Sequence, residues 1–257
     1  MEIIFVGTGS GKTSIKRNHS SFLIKESDEY LLIDCGDGIS KALMQSNINF
    51  NSISSLIITH LHADHYAGIA SLVTQMKLIK RKDSFKIYIH KNFTGTIESF
   101  LNSVYMFRET LGYNLEIIGF EFDNMIYAAD QTSFTAKQNL HIIQKTETEH
   151  YPKELFVSAS LLLKCNGRNI IYTSDIGCAD DLYLFKDQRH DILISECAHL
   201  SFEELYSAFK NLAPSKLLIT HIPDEHENYL SSRINQLPAE DKEKIILCYD
   251  GLSVIPA

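Results

Sequence analysis

The stretch Leu56-Ile-Ile-Thr-His60-Leu-His62-Ala-Asp64-His65-Tyr-Ala-Gly68 ends an apolar run in four metal-competent side chains within six residues. A lone histidine is usually a solvated or capping residue. Four imidazole and carboxylate groups converging where a strand leaves into a loop are rarely so. Alternate residues leaving a strand point the same way, so His60 and His62 can grip one ion while Asp64 and His65 turn toward a second as a helix starts. Neutral imidazole and carboxylate suit zinc, iron or manganese, and the ligand set alone leaves that choice open. A two-metal site needs further ligands, so the fold has to bring other strand ends to the same place. His150, Asp175 after Ile170-Ile-Tyr-Thr-Ser174, and His221 after Leu217-Leu-Ile-Thr220 each adjoin an apolar run and can share one sheet edge.

The remaining chain supplies such strands. Short apolar, β-branched runs recur at Ile3 to Val6, Ser21 to Lys25, Tyr30 to Asp34, Leu56 to Thr59 and Lys86 to His90. They continue at Leu140 to Lys145, Val157 to Lys164, Ile170 to Thr173, Ile192 to Ser195, Leu217 to Thr220 and Ile245 to Cys248. Three- and four-residue apolar spacing predicts helices over Gly38 to Ser46, Asp64 to Lys80, Thr96 to Leu111, Phe202 to Asn211 and Glu225 to Gln236. Asp191-Ile-Leu-Ile-Ser195 and Lys216-Leu-Leu-Ile-Thr220 are apolar on successive positions, which predicts sheets covered on both faces by helices, an α/β architecture. The aromatic-rich Phe100 to Tyr127 is the least regular part; it reads as a helix packed by Phe100, Val104, Phe107 and Leu111, with a lid or oligomer contact as the alternative. No linker, charge block or repeat marks a boundary, so a single domain over residues 1–257 is expected.

Composition narrows the partners. Twenty-four basic against thirty-two acidic residues give a net charge of −8, which repels nucleic-acid phosphates at long range. Five scattered cysteines, Cys35, Cys165, Cys178, Cys197 and Cys248, form no C-x-x-C pair, which predicts a reducing cytoplasm and no cysteine zinc site. Neither a signal peptide nor a membrane span is expected. Gly7-Thr-Gly-Ser-Gly-Lys12-Thr13 approaches a phosphate-binding loop but has Val6 where that pattern requires glycine. A turn carrying backbone close to the metal site explains these glycines better.

Gly7-Thr-Gly-Ser-Gly11, Arg17-Asn18 with Ser20-Ser21, Asp34-Cys-Gly-Asp-Gly38, the H-x-H-x-D-H block, then His150, Asp175 and His221 run in the order of one family. Over nearly its whole length the chain resembles the metallo-β-lactamase superfamily, and within it the ribonuclease Z-like phosphodiesterases. The resemblance implies a four-layer αβ/βα sandwich and two divalent metal ions, zinc by family habit. It assigns His60, His62 and His150 to one ion, Asp64, His65 and His221 to the other, and Asp175 as the bridge. His141 and His226 compete for the third and last histidine positions; His150 is preferred because His141 falls inside an apolar run read as a strand, and His221 because it ends one. Asp64 would orient the nucleophile. His199, after Ile192-Leu-Ile-Ser-Glu196, would protonate the leaving oxygen with Glu196 orienting it, a role that competes evenly with a surface or capping histidine.

Enzymes of this group that mature transfer RNA carry a long arm between the third histidine and the bridging aspartate. Only the span Tyr151 to Ser174 lies there in this chain. The chain therefore looks more like the compact cyclic-nucleotide phosphodiesterases of the group, including the phage-associated anti-Pycsar proteins. This likeness implies hydrolysis of 3′,5′-cyclic nucleotides to monophosphates. Tyr105, Phe107 and Tyr113 would serve base selection, within one subunit or across a homodimer. A minimal transfer-RNA-processing nuclease is the second reading, and a non-catalytic metal-bound scaffold the third; the intact ligand set argues against the latter.

Overall fold

The computed structural model describes residues 1–129 and 131–256, and the chain divides into two compact units, 1–121 with 249–257, and 122–248. The first unit holds β1 (Glu2–Gly7), β2 (Ser21–Glu26), β3 (Glu29–Ile33), β4 (Ile53–Ile57), β5 (Phe85–His90) and β6 (Leu115–Phe120). The second holds β7 (Met125–Ala129), β8 (Thr132–Gln138), β9 (Ala159–Cys165), β10 (Arg168–Tyr172), β11 (Ile192–Glu196), β12 (Lys216–Thr220) and β13 (Ile245–Leu247). The chain returns to the first unit with β14 (Ser253–Val254). Helices α1 (Ile39–Gln45), α2 (Ala63–Tyr66), α3 (Ile69–Leu78), α4 (Thr94–Ser103) and α5 (Arg108–Leu111) belong to the first unit; α6 (Phe202–Leu212), α7 (Glu227–Asn235) and α8 (Ala239–Lys242) belong to the second.

Each unit contains one seven-stranded mixed sheet, in the orders β14-β1-β2-β3-β4-β5-β6 and β13-β12-β11-β10-β9-β8-β7. In the first, β1, β2 and β3 meander antiparallel, after which β3, β4, β5 and β6 run parallel. In the second, β10 to β13 run parallel while β7, β8, β9 and β10 alternate. Parallel strands need crossovers, and the sequence supplies helices of the right period for them. α6 shows how: Ser201 and Glu204 form a reciprocal capping box at its start, Phe202, Leu205, Ala208 and Phe209 bury one face, and Ala213 ends it in the left-handed region.

Three of the expected elements differ in the structure. Helix 64–80 is split at Gly68, because the backbone of the Asp34–Gly38 loop lies directly on it: a Cβ at Gly68 would stand 2.2 Å from the Gly36 carbonyl oxygen. Phe100 to Tyr127 is no single helix; α4 stops at Ser103, a turn with Tyr105 at φ 63° follows, and the segment goes on to α5, β6 and most of β7. Val104 and Phe107, read as packing residues, are exposed, and Leu111 is buried. Leu140 to Lys145 is not a strand, since β8 ends at Gln138 and the chain there is irregular. Among the described residues no helix is long and apolar enough to cross a membrane.

Candidate metal centre

The ligand candidates stand where strands end. In open α/β sheets the carboxyl ends of strands carry the ligand-binding loops. Asp34 follows β3, His60 to His65 follow β4, Ser174-Asp175 follow β10, Glu196 to His199 follow β11, and His221 follows β12. β8 runs two antiparallel steps from β10, so it shares that strand's direction and releases His141 at the same edge. Asp34, Ser174 and His221 lie in the left-handed region, at φ 58°, 54° and 53°. Such conformations cost a non-glycine residue on the order of 1 kcal/mol or more, and they persist where surrounding contacts over-determine them.

In the first unit the contacts are explicit. Gly36 and Gly68 allow Cys35 N to donate to the His65 carbonyl at 2.6 Å and Gly68 N to donate to the Cys35 carbonyl at 2.9 Å. This locks Asp34, fully buried, against His65: His65 Nδ1 lies 2.8 Å from Asp34 Oδ2. Asp34 Oδ1 also accepts from Thr59 N at 2.9 Å and Thr59 Oγ1 at 3.0 Å. An ionised carboxylate only accepts, so His65 is protonated at Nδ1 and Thr59 directs its one hydroxyl proton to Asp34. Thr59 Oγ1 then accepts from His60 Nδ1 at 3.1 Å. One buried carboxylate thereby sets the tautomer of two imidazoles, with Nδ1 carrying the proton in each, so that Nε2 is the atom either would offer a metal. The His60 ring centroid lies 4.1 Å from that of His65 and 4.8 Å from that of His62, and Asp64 Oδ2 stands 3.5 Å from His65 Nε2. A Cβ on Gly11 would touch Asp64 Oδ2 at 3.3 Å, so the glycine loop does bring backbone to these groups.

That loop is tied down by a residue the sequence reading passed over. Asp250, near the far end of the chain, accepts from Thr8 N at 2.9 Å, Thr8 Oγ1 at 2.7 Å and Asn18 N at 2.6 Å. No local pattern announces it, since its partners lie more than two hundred residues away.

In the second unit Asp175 is buried, with His221 Nε2 at 3.2 Å and His141 Nε2 at 3.6 Å from its Oδ2. The structure thus brings His141, not the expected His150, to the aspartate. His150 sits on an exposed stretch of short turns, its ring centroid 4.1 Å from that of Tyr151 with the planes tilted by 41°. His226 is likewise exposed, at the start of α7. His199 packs at 4.9 Å edge-on to His141 and 5.8 Å from His221. Its Nδ1 lies 2.8 Å from Glu196 Oε1, and the buried Glu196 carboxylate also accepts from Ile176 N, Ala198 N and His199 N. With Nδ1–H held this way, His199 presents Nε2 as its exchanging atom.

Tyr113, expected among the base-selecting aromatics, turns inward instead: it is buried, the Arg81 guanidinium lies 5.9 Å from its ring, and burial pushes its hydroxyl up to about 12. Tyr105 and Phe107 remain exposed, edge to face at 6.3 Å. Cys35 and Cys197 are buried thiols raised by desolvation and then by Asp34 and Glu196 respectively, Cys197 to about 12, which removes them as nucleophiles.

Both donor sets consist of imidazoles and carboxylates, with preset tautomers in the first, and this chemistry fits divalent zinc, iron or manganese. A family model described as anti-Pycsar protein Apyc1 matches residues 1–248. Ribonuclease Z of Pyrococcus furiosus is 28% identical, with 86% of each chain covered. Among solved structures, human tRNase Z short form superposes with a TM-score of 0.74 at 18% identity, covering 100% of both chains. The metallo-β-lactamase fold protein YhfI from Bacillus subtilis gives 0.76 at 20% identity, covering 98% of each. The fold is that of the metallo-β-lactamases, as the strand order and site-bearing loops anticipated.

Proposed function

The chain belongs to the anti-Pycsar protein Apyc1 family and is a metal-dependent phosphodiesterase, and from that premise we propose that it opens 3′,5′-cyclic nucleotides to linear monophosphates in the cytoplasm. The observation that carries this reading is the family match over residues 1–248 of a chain that retains the whole imidazole and carboxylate set. Two zinc ions are inferred: His60, His62, Asp64 and His65 in the first unit would offer them ligands, as would His141, Asp175 and His221 in the second. When bound, such ions acidify a water toward neutrality and offset charge on the phosphoryl oxygens. Asp64 orients the attacking water and accepts its proton. His199 Nε2 delivers a proton to the departing sugar oxygen, while Glu196 keeps the ring in register.

A small substrate fits what lies between His141 and Asp175. That interval holds two short 3-10 turns and the β9–β10 hairpin, with no room for a protruding arm to grip RNA. The net charge of −8 points the same way. Tyr105 and Phe107 are exposed aromatic groups able to stack on a base, and we infer a homodimer in which they serve base selection. Ribonuclease Z activity is the second reading, favoured by the 28% identical relative. Zinc-loaded enzyme, its metal content measured, is to be assayed against cyclic AMP, GMP, CMP and UMP and against a precursor transfer RNA. Rapid turnover of at least one cyclic nucleotide is expected; intact cyclic nucleotides beside a trimmed transfer RNA would overturn the proposal.

A further inference from the structure

Two buried side chains in the second unit hold His141 and Asp175 without approaching any reacting atom. Asn139 is buried immediately before the histidine segment. Its Nδ2 donates to the Asp175 carbonyl at 2.9 Å, the Thr173 carbonyl at 3.2 Å and Ser160 Oγ at 3.1 Å. Its Oδ1 accepts from His141 N at 3.2 Å and from the Ser158 hydroxyl. Asp181, also buried, reaches the same two segments from the other side: its Oδ2 accepts from Leu140 N at 3.0 Å and Gly177 N at 2.9 Å. Gly177 is pressed on Leu140 so closely that a Cβ there would stand 2.1 Å from the Leu140 carbonyl oxygen.

The segment 139–141 leaves β8 as irregular chain, and Ser174 before Asp175 is held in the left-handed region. Asn139 N still donates to the Ser158 carbonyl at 3.1 Å, but past it the N–H groups of Leu140 and His141 go to side chains, Asp181 Oδ2 and Asn139 Oδ1, so the position of the histidine depends on those side-chain partners. Asn139 and Asp181 bond to both segments, flanking His141 and Asp175, and each buried hydrogen bond resists displacement because breaking it leaves a polar group desolvated.

We propose that Asn139 and Asp181 are positioning residues: together they form a clamp that sets the spacing of His141 and Asp175, and through it the affinity of the ion these two residues share. This rests on the dinuclear reading above. Metal ligands supported by ordered outer groups typically lose 10- to 100-fold in affinity when that support is removed. Asn139→Asp keeps size and shape but sets a carboxylate oxygen against the Asp175 and Thr173 carbonyls. Asp181→Asn retains one accepting oxygen and is the gentler change, able to carry the test if the first variant does not fold.

The two stepwise zinc dissociation constants are to be measured by competition with a chromophoric chelator, with the visible spectrum of the cobalt-loaded protein recorded alongside. In folded variants at least one zinc step should loosen by about 10- to 100-fold in Asn139→Asp and by a smaller factor in Asp181→Asn, with altered cobalt bands. Wild-type protein that binds two ions while both variants keep both constants within threefold and the same cobalt spectrum overturns the clamp alone. Loosening of both steps in a variant whose metal-free form also melts well below the metal-free wild type overturns it, since it would show general damage. Wild-type protein that binds fewer than two ions overturns the dinuclear reading first, and the clamp with it.

Discussion

Replacing Asp34 by Asn tests whether the tautomers of the proposed metal ligands His60 and His65 are set by one carboxylate. The substitution preserves volume, and Asn accepts the left-handed backbone at φ 58° about as readily as Asp. Only the chemistry changes. Asp34 accepts from Thr59 N, Thr59 Oγ1 and His65 Nδ1. An amide has one accepting oxygen: if it stays with Thr59, its NH2 meets His65 Nδ1–H, and two donors face each other. His65 escapes only by moving its proton to Nε2, the atom beside Asp64 Oδ2. A protonated nitrogen cannot ligate. Losing a buried charge-assisted bond costs about 1.5–3 kcal/mol, and for a chain of this size each kcal/mol moves the melting temperature roughly 2–4 °C. The metal-free variant should therefore melt roughly 3–12 °C below the metal-free wild type. Zinc should bind 10- to 100-fold more weakly, equivalent to about 1.4–2.8 kcal/mol. Chelator competition and thermal unfolding read the two quantities separately. An Asp34→Asn protein that binds zinc within twofold of wild type and melts at the same temperature would refute the relay through Asp34.

Other expectations attach to individual positions. His141→Ala should lower both metal content and turnover by at least tenfold, whereas His150→Ala should leave both near wild type; elemental analysis and initial rates decide between them, and the reverse pattern would restore His150 as ligand. Of the five cysteines only Cys178 is partly exposed, the others being buried, so iodoacetamide on the native protein should label Cys178 first by mass spectrometry, and early labelling of Cys197 would contradict its raised thiol. Burial holds His190 below its ordinary value of 6.5, so its contribution to stability is complete above that pH and declines as pH falls below it, when the unfolded chain takes the proton more readily. His190→Gln should flatten the loss of denaturation midpoint between about pH 7 and pH 5; an unchanged slope would show that His190 does not titrate in this way.

The chemistry of the first donor set was legible from local sequence. Four ligand-type side chains at one strand end are a local pattern, and the strand end, loop and short helix that present them are encoded within thirteen consecutive residues, Leu56 to Gly68. Buried parallel strands such as β11 and β12 were also legible, because burial on both faces removes the polar alternation that would otherwise blur them. Helix α6 carried its own start signal in Ser201 and Glu204. The third histidine was not legible. His141 and His150 lie nine residues apart, the apolar neighbours of His141 made it read as a strand residue, and choosing between them depends on where β8 stops. β8 itself, Thr-Ser-Phe-Thr-Ala-Lys-Gln, is marginal in isolation and becomes a strand through its pairing with β9. Its direction, set by two antiparallel steps from β10, is what delivers His141 to Asp175. Asp250 and the Asn139–Asp181 clamp belong to the same class. Their hydrogen bonds join residues far apart in the chain, and such pairings exist only once tertiary packing has brought the backbones together.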